Sequence, residues 1–394
     1  MAYDFDTIVD RRNTNCGRWD TMDKKYGNRR LIHLGVADMD FRAPQPIIDG
    51  FRECLDHGIF GYTDVSEAFY GSFISWMERK HAVNINKKEI LFCPRINISA
   101  RLCVETFTKP GEGIIIQTPA YAPLYDAIVK NGRKVIESRL VAENGKYRMD
   151  LEQLEKAVTP DTKMFLLCSP HNPVGRVWTK RELEQVGEFC LKHRLVLYAD
   201  EIHGDITAQG ADFVSTLSLR EEIRQLLVMA FSPTKTFNIP GVILSYLVIP
   251  DDGMRKRMEN TINRTGMHNP TVFAVKAAEK AYTECDGWYR EMLAYINGND
   301  AYTRSFFAAY MPKFHIYPRE GTYLLWMDCS GLGCTEEELE TWFLEKAQVS
   351  VYMGSVFGEA GRGYIRVNIA SPRKLLEQAY RRMADAYGEL VSGM

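Results

Sequence analysis

Residues 163–175 read K-M-F-L-L-C-S-P-H-N-P-V-G, a short apolar run followed at once by a polar, proline-rich loop. The pattern returns in R-L-V-L-Y-A-D-E-I-H (194–203) and in L-L-V-M-A-F-S-P-T-K-T-F-N (226–238). Runs that are apolar at both odd and even positions predict strands buried on both faces, as in a parallel sheet covered by helices. These three stretches therefore predict an α/β fold.

The alternation extends on both sides of these stretches. Further apolar runs occupy 89–93, 113–117 and 242–249, and a stretch with helical periodicity spans 179–193. We therefore predict a large domain over 46–286 with a mostly parallel central sheet flanked by helices.

After about residue 286 helices and short strands follow a different order. We predict a smaller α+β domain built from both termini, residues 1–45 and 287–394. Its expected elements are a helix at 288–311, strands at 314–317 and 322–327, a helix at 335–347, strands at 349–353 and 363–369, and a last helix from Pro372.

Composition excludes several classes of protein. The 394 residues are 45% hydrophobic and 25% charged, with a net charge of −2, so no basic excess favours nucleic acid or an anionic membrane surface. The nine cysteines are odd in number and scattered without a C-x-x-C, which predicts reduced thiols, no metal site and a cytoplasmic location. The N-terminus lacks the apolar segment of a signal peptide, and no apolar stretch is long enough for a membrane span.

Polar side chains follow three successive predicted strands: Asn172, Asp200 and Lys235. Ligands of open α/β sheets bind outside the carboxyl ends of the strands. A lysine partly removed from water there favours the neutral amine that a Schiff base needs, and a neighbouring carboxylate could hold a ring nitrogen protonated. With Ser232 and Thr234 available for a phosphate, this set fits pyridoxal 5′-phosphate.

The chain resembles the fold-type I pyridoxal-phosphate enzymes, and among them the C–S lyases of the MalY/PatB cystathionine β-lyase type. The resemblance covers nearly the whole chain and rests on the order of its motifs. These are Y-D-F-D (3–6), V-A-D-M-D-F (36–41), H-G-I-F-G-Y-T (57–63), Q-T-P-A-Y (117–121), S-P-H-N-P-V-G-R-V-W (169–178), D-E-I-H (200–203), T-K-T-F-N (234–238), E-G-T-Y-L-L-W (320–326) and R-V-N-I-A-S-P-R (366–373).

The resemblance implies roles around the cofactor ring. Lys235 forms the imine with the cofactor and then moves the Cα proton, while Asp200 pairs with the pyridinium nitrogen. Asn172 contacts the ring hydroxyl and the substrate carboxylate. Tyr121 stacks on the ring, and His203 lies near the ring oxygen. His203 could instead be a buried, hydrogen-bonded structural residue.

The resemblance also assigns the phosphate and substrate ends of the site. Ser232, Thr234 and the backbone at Ile96 and Asn97 bind the phosphate, although Ser232 could instead cap a turn. Tyr62 reaches the phosphate of the neighbouring subunit's site, which requires a homodimer with active sites at the interface. We count Lys235, Tyr121 and Tyr62 as the catalytic side chains. The substrate contacts implied are Arg366, which anchors the α-carboxylate, Asn172 and Ala37.

Three positions depart from the family pattern. Gly35 stands where most members have Trp, which predicts a wider or differently shaped substrate pocket. Arg95 replaces a glycine of the phosphate loop, which forbids any backbone shape with positive φ there. Val242 and Ile243 occupy the positions where related aminotransferases often carry a phosphate-binding arginine.

The implied activity is α,β-elimination of L-cystathionine or another S-substituted L-cysteine to a thiol, pyruvate and ammonia. An aminotransferase on the same scaffold is the alternative, and a regulatory protein on an enzyme scaffold is a third hypothesis. The S-P-T-K sequence (232–235) also matches the S-x-x-K of β-lactamases, but S-D-N and K-T-G are both missing.

Overall fold

The computed structural model of the chain describes residues 3–392. Within that range the strands are, in chain order, β1 (Ile32–His33), β2 (Ile90–Cys93), β3 (Gly113–Thr118), β4 (Lys134–Arg139), β5 (Val141–Glu143), β6 (Lys146–Arg148), β7 (Thr162–Cys168), β8 (Val196–Asp200), β9 (Leu227–Phe231), β10 (Ser245–Val248), β11 (His315–Ile316), β12 (Leu324–Asp328), β13 (Val349–Ser350), β14 (Tyr352–Met353) and β15 (Tyr364–Asn368).

The helices of the same range account for most of the remaining regular structure. They are α1 (Asp20–Tyr26), α2 (Gln45–His57), α3 (Glu67–His81), α4 (Ile96–Phe107), α5 (Ala122–Val129), α6 (Leu151–Glu155), α7 (Lys180–His193), α8 (Glu221–Arg224), α9 (Pro233–Thr236), α10 (Asp252–Arg264), α11 (Val272–Glu284), α12 (Asp286–Tyr310), α13 (Glu336–Thr341) and α14 (Arg373–Ser392). Short 3₁₀ turns lie at Lys87–Glu89, Thr216–Ser218, Pro240–Val242, Ser330–Leu332, Gly354–Phe357 and Glu359–Gly361, and a π-helical turn lies at Trp342–Lys346.

A seven-stranded sheet forms the centre of the molecule, in the order β2-β10-β9-β8-β7-β3-β4. The five strands from β9 to β4 are parallel to their neighbours, and β10 runs antiparallel to both β9 and β2. The predicted α/β fold with a mostly parallel sheet is confirmed.

Both faces of this sheet are buried, as the continuous apolar runs predict. In β7, Phe165 and Leu167 belong to one core cluster, while Met164 and Leu166 belong to a second cluster on the opposite face. Successive side chains of a strand point to opposite faces, so a strand covered twice must be apolar at every position. Each of these fully buried side chains contributes about 1.5–3 kcal/mol to folding.

The helix predicted at 179–193 is α7, and its start shows why it forms there. Thr179 accepts a hydrogen bond from the Glu182 backbone N–H, and the Glu182 carboxylate accepts one from the Thr179 N–H. This capping box satisfies backbone donors that a helix start leaves free.

A second, four-stranded antiparallel sheet has the order β11-β12-β15-β14 and shares no strand with the central sheet. The predicted single strand at 349–353 is wrong. It is two short strands, because β13 pairs with β1 from the N-terminal region while β14 pairs with β15. Likewise, the helix predicted at 335–347 is α13 followed by the π-helical turn.

The described residues establish the state of the thiols and the hydropathy of the helices. All nine cysteines are free thiols, and eight of them are buried. Among the helices of residues 3–392, none has the length and apolar character needed to cross a membrane.

Candidate active site

A pocket opens at the carboxyl ends of β7, β8 and β9. It brings together Asn172, Asp200 and Lys235, the three side chains that the sequence places after successive strands. Because these strands are parallel neighbours, their carboxyl ends meet at one edge of the sheet. The predicted convergence of amide, acid and lysine is therefore what the fold produces.

Lys235 lies in the single turn of α9 and is largely removed from water. Its Nζ donates a hydrogen bond to the carbonyl oxygen of Ala37. Burial lowers the pKa of Lys235 to about 8, while the negative charge of Asp38 acts in the opposite direction. A larger fraction of this lysine than of a solvated one is therefore the nucleophilic free amine at neutral pH.

Asp200 ends β8 at the floor of the pocket and is 3% exposed. Its Oδ1 accepts a hydrogen bond from the Ile202 backbone N–H at 3.1 Å, and it forms no ion pair with any described residue. Burial raises the pKa of Asp200 to about 7, against the opposing effects of the Ile202 N–H and of Lys235. A buried carboxyl with this pKa becomes fully ionised once a cationic N–H donor is placed beside it.

The opposite end of the pocket is suited to an anion. Ile96 and Asn97, at the start of the twelve-residue α4, line it, and no side chain in the described part of the chain caps this helix. Thr234 also lines it, and its hydroxyl lies 2.8 Å from the Ser232 hydroxyl. Uncapped backbone N–H groups at a helix start and the helix dipole both favour phosphate.

Ser232 lines the pocket and also caps the turn of α9, which is the alternative role that the sequence analysis gave it. Its Oγ accepts a hydrogen bond from the Thr234 backbone N–H at 3.2 Å and donates one to the Leu244 carbonyl at 2.5 Å. The hydroxyl proton of Ser232 is therefore already engaged within the protein. Its contact with a phosphate stays a prediction.

Two of the positions that depart from the family pattern, Arg95 and Ile243, lie near the anion end of the pocket. The backbone at position 95 does not need a glycine. Arg95 lines the pocket with φ −151°, which is extended backbone open to any residue. Ile243 also lines it, but with φ +62°, a conformation that β-branched residues rarely adopt. The apolar Ile243 side chain supplies no charge at the place where an arginine is common in related aminotransferases.

Two aromatic side chains complete the walls of the pocket. Burial raises the pKa of Tyr121, so its phenol is neutral. Burial lowers the pKa of His203 well below its usual value, so its imidazole is neutral as well. No described residue hydrogen-bonds the Nδ1 of His203, and the His203 ring meets the Tyr323 ring edge to face at 5.9 Å between centroids. An unpartnered buried nitrogen at the wall is available to a bound ring.

Arg366, from β15, lies beside the pocket and is 1% exposed. Its Nη1 donates to Asn172 Oδ1 at 2.9 Å and its Nη2 donates to the Gly35 carbonyl at 2.8 Å, while its Nε has no hydrogen-bond partner among residues 3–392. The guanidinium packs against the rings of Tyr352 at 5.0 Å and Phe357 at 4.7 Å.

No described carboxylate forms an ion pair with Arg366. Burial lowers the pKa of its guanidinium to about 10, which reports the cost of keeping this charge out of water. A buried cation that lacks a counter-ion is a binding site for an anion, and a guanidinium fork matches a carboxylate.

Residues 35–41, which we call the 35–41 strap, cover the lysine side of the pocket. Three side chains that the sequence analysis gave no role hold its carbonyl oxygens. Asn368 donates to two of them at 2.7 and 2.6 Å, Asn238 to two at 2.9 and 2.6 Å, and Tyr323 to the Ala37 carbonyl at 2.9 Å. Each of the three lies inside one of the motifs on which the family resemblance rests. That membership is the one signal in the sequence that could have identified them.

Gly35 does not leave an empty space in the wall. A Cβ atom built on Gly35 would lie 2.9 Å from the ring of Tyr352, closer than such contacts occur. The Tyr352 ring fills the place beside the Gly35 backbone, and the predicted effect of Gly35 on the shape of the substrate pocket stays a prediction. Tyr352 thus contacts both the Gly35 backbone and the Arg366 guanidinium.

Tyr62 is the one predicted site residue far from this pocket. It lies on the segment between α2 and α3, and its side chain is fully exposed. Within the described chain it contributes nothing to its own pocket, so its predicted role requires a second subunit.

The sequence profile of the aminotransferase class I and II family matches residues 29–383. The chain belongs to this family. It is 34% identical over 383 residues to cystathionine β-lyase PatB of Bacillus subtilis, which covers 97% of this chain and 99% of that relative.

Solved structures of the family agree with this match. The pyridoxal-phosphate-bound putative aminotransferase of Clostridium difficile 630 is 38% identical, with a TM-score of 0.95 over 98% of this chain and 100% of the other. Cystalysin of Treponema denticola, which contains pyridoxal 5′-phosphate, is 34% identical, with a TM-score of 0.96 over 99% and 100% of the two chains.

The residues of this aminotransferase-family pocket fit pyridoxal 5′-phosphate. Lys235 offers a free amine, Asp200 offers a buried carboxyl without an ion-pair partner, and the start of α4 offers uncapped N–H groups. These three features match, in turn, the aldehyde, the ring nitrogen and the phosphate of the cofactor.

Proposed function

We propose that this chain is a pyridoxal-phosphate-dependent C–S β-lyase. It would convert an S-substituted L-cysteine, such as L-cystathionine, and one water to a thiol, pyruvate and ammonia. One observation carries the proposal: Lys235, Asp200 and Asn172 line a single pocket, and Asn172 is hydrogen-bonded there to the buried guanidinium of Arg366. The name of the PatB relative, a cystathionine β-lyase, supports the choice of reaction.

When bound, the cofactor supplies an electron sink for the pair left at the substrate Cα. Lys235 would hold its aldehyde carbon, Asp200 would keep the proton on its ring nitrogen, and Tyr121 would pack on its ring. The N–H groups of Ile96 and Asn97, with Thr234, would hold the phosphate.

The remaining chemistry belongs to side chains at the mouth of the pocket. Arg366 and Asn172, already hydrogen-bonded to each other at 2.9 Å, would bind the α-carboxylate of the substrate. That contact fixes the amino acid so that its Cα proton faces Lys235, whose free amine accepts it. The protonated Lys235, or the neutral phenol of Tyr121, then supplies the proton that the departing thiolate needs.

The proposal is tested by supplying pyridoxal phosphate and a panel of S-substituted cysteines to the purified protein. We expect stoichiometric thiol and pyruvate, measured with a thiol reagent and with lactate dehydrogenase. Release of neither product from any member contradicts the lyase assignment. Conversion of the bound cofactor to its amine form by simple amino acids would support the aminotransferase alternative instead.

We also propose that two copies form a homodimer and that each completes the other's site. The segment with Tyr62 exposes Ile59 and Phe60 as well, at 70% and 56% exposure. Neighbouring apolar side chains left in water favour association. Light scattering should give about twice the 45.1 kDa mass of one chain, and a single-chain mass would contradict the dimer.

The domain limits and the cellular location remain proposals. We place the large domain at 46–286 and the small domain at 1–45 with 287–394. Pairing of β1 with β13 joins the two terminal regions, which supports this division. Nine free thiols support a reducing compartment and therefore the cytoplasm, which cell fractionation would check.

A further inference from the structure

A buried carboxylate behind the pocket gathers an unusual number of hydrogen bonds. Asp205 is 1% exposed and follows β8 by five residues. Its Oδ1 accepts from Trp76 Nε1 at 3.0 Å and from His81 Nε2 at 2.8 Å, and its Oδ2 accepts from the Thr236 hydroxyl at 2.6 Å. Its own carbonyl accepts from the Tyr289 hydroxyl at 2.7 Å.

These partners belong to three separate helices of the chain. Trp76 and His81 come from α3, Tyr289 comes from α12, and Thr236 comes from α9. Asp205 itself lies in the turn that follows β8. A carboxylate with three donors and almost no exposure has most of its acceptor capacity used within the protein, so its role is structural rather than ligand binding.

The bond to Thr236 matters because α9 is too short to hold its own shape. It has four residues, and a single helical turn is unstable by itself. Its first end is fixed by the Ser232 cap, and its last residue is fixed by Asp205. Lys235 stands between these two attachments, immediately before Thr236.

Asp205 itself belongs to the turn that carries Asp200 and His203, and backbone hydrogen bonds hold this turn together. The Ile206 N–H bonds the His203 carbonyl at 2.8 Å, and the Gly204 N–H bonds the Glu201 carbonyl at 2.8 Å. The turn from Asp200 to Asp205 is thereby closed on itself. Through Asp205, this turn and α9 are attached to one point on α3.

We propose that Asp205 is a positioning residue for Lys235, acting through the Thr236 hydroxyl, in the reaction proposed above. The carboxylate sets the distance between the helix that carries Lys235 and the turn that carries Asp200. Loss of this bond lets α9 shift relative to the floor of the pocket. Proton transfer at Cα is then slowed, while Arg366 and the carboxylate site stay in place.

The test is Thr236→Val, which keeps the shape of the side chain and removes the donor. We expect kcat for pyruvate formation to fall at least about tenfold with KM little changed, because a shift of about 1 Å in a reacting group costs up to about 100-fold. The visible circular dichroism of bound pyridoxal phosphate should weaken, since it reports ring orientation. The dissociation constant for the cofactor should rise.

Two further variants separate positioning from general stability. Thr236→Ser keeps the hydroxyl and should restore both kcat and the dichroism. Thr303→Val is a matched control, because Thr303 is also fully buried and its hydroxyl donates to the Asn299 carbonyl at 2.7 Å, in α12. It should lower the Tm as much as Thr236→Val without changing the dichroism.

A second measurement involves Asp205 itself. In an Asp205→Asn background, Thr236→Val should have little additional effect, because the carboxylate partner is already lost. The proposal would be overturned if Thr236→Val lowered the Tm but left kcat and the dichroism of the bound cofactor unchanged. Absence of pyruvate from the wild-type protein would contradict the proposed lyase function instead, and the dichroism and cofactor affinity would still test Asp205.

Discussion

Lys235→Ala is expected to abolish pyruvate formation, with kcat/KM reduced at least about 10³-fold. The substitution removes the only lysine that lines the pocket in the described chain, and with it the base for the Cα proton. The yellow colour of the protein with pyridoxal phosphate should change as well, because the covalent attachment is lost. Absorbance spectra and the coupled pyruvate assay measure the two effects.

The structure offers a matched control for this substitution. Lys180 is an exposed lysine at the start of α7, and Lys180→Ala should leave both activity and spectrum unchanged. Small primary amines added to Lys235→Ala should restore part of the rate, since they can supply the missing base. A Lys235→Ala protein with wild-type turnover would refute the assignment of this residue.

Arg366→Met is expected to lower kcat/KM by about 30- to 5,000-fold, mostly through KM. A buried hydrogen-bonded charge pair is worth about 2–5 kcal/mol when one partner is removed, and each 1.36 kcal/mol is tenfold. In the free protein, however, no carboxylate of the described chain pairs with the buried guanidinium, and burial lowers the pKa of Arg366 to about 10. The same substitution should therefore cost little stability, which thermal unfolding without substrate will measure.

Arg366→Lys tests whether geometry or charge binds the substrate. Lysine keeps the charge but not the two-pronged fork, so it should recover only part of the lost affinity. Arg362→Met serves as the control, because Arg362 is exposed and paired with Glu359 on the surface. Equal KM values for Arg366→Met and the wild type would rule out the carboxylate role.

The sequence was most informative about the centre of the fold. Continuous apolar runs identified β3, β7, β8 and β9, because strands buried on both faces leave no polar position in the pattern. The edge strand β4 was not predicted, since Lys134, Glu137 and Arg139 are exposed and interrupt its hydrophobic pattern. The β5–β6 hairpin was also missed, although Asn144-Gly145, both with positive φ, is a typical hairpin turn.

The same contrast holds for the site. Asn172, Asp200 and Lys235 could be predicted because each lies at the carboxyl end of a strand of the sheet or in the loop that follows it. The contacts of Asn238, Tyr323 and Asn368 with the 35–41 strap could not be, because they join segments far apart in sequence. Asp205 was missed as well, since only the packing of α3 and α9 against the turn after β8 shows that both helices share its carboxylate.

The 35–41 strap also has a consequence for the synthesis of the protein. Its residues emerge from the ribosome early, but Tyr323, Arg366 and Asn368, which bind it, are made near the end. A nascent chain that has reached residue 320 already contains Lys235 and Asp200 yet lacks one wall of the pocket. Domains fold progressively during translation, so capture of the cofactor in the finished geometry has to follow completion of the chain.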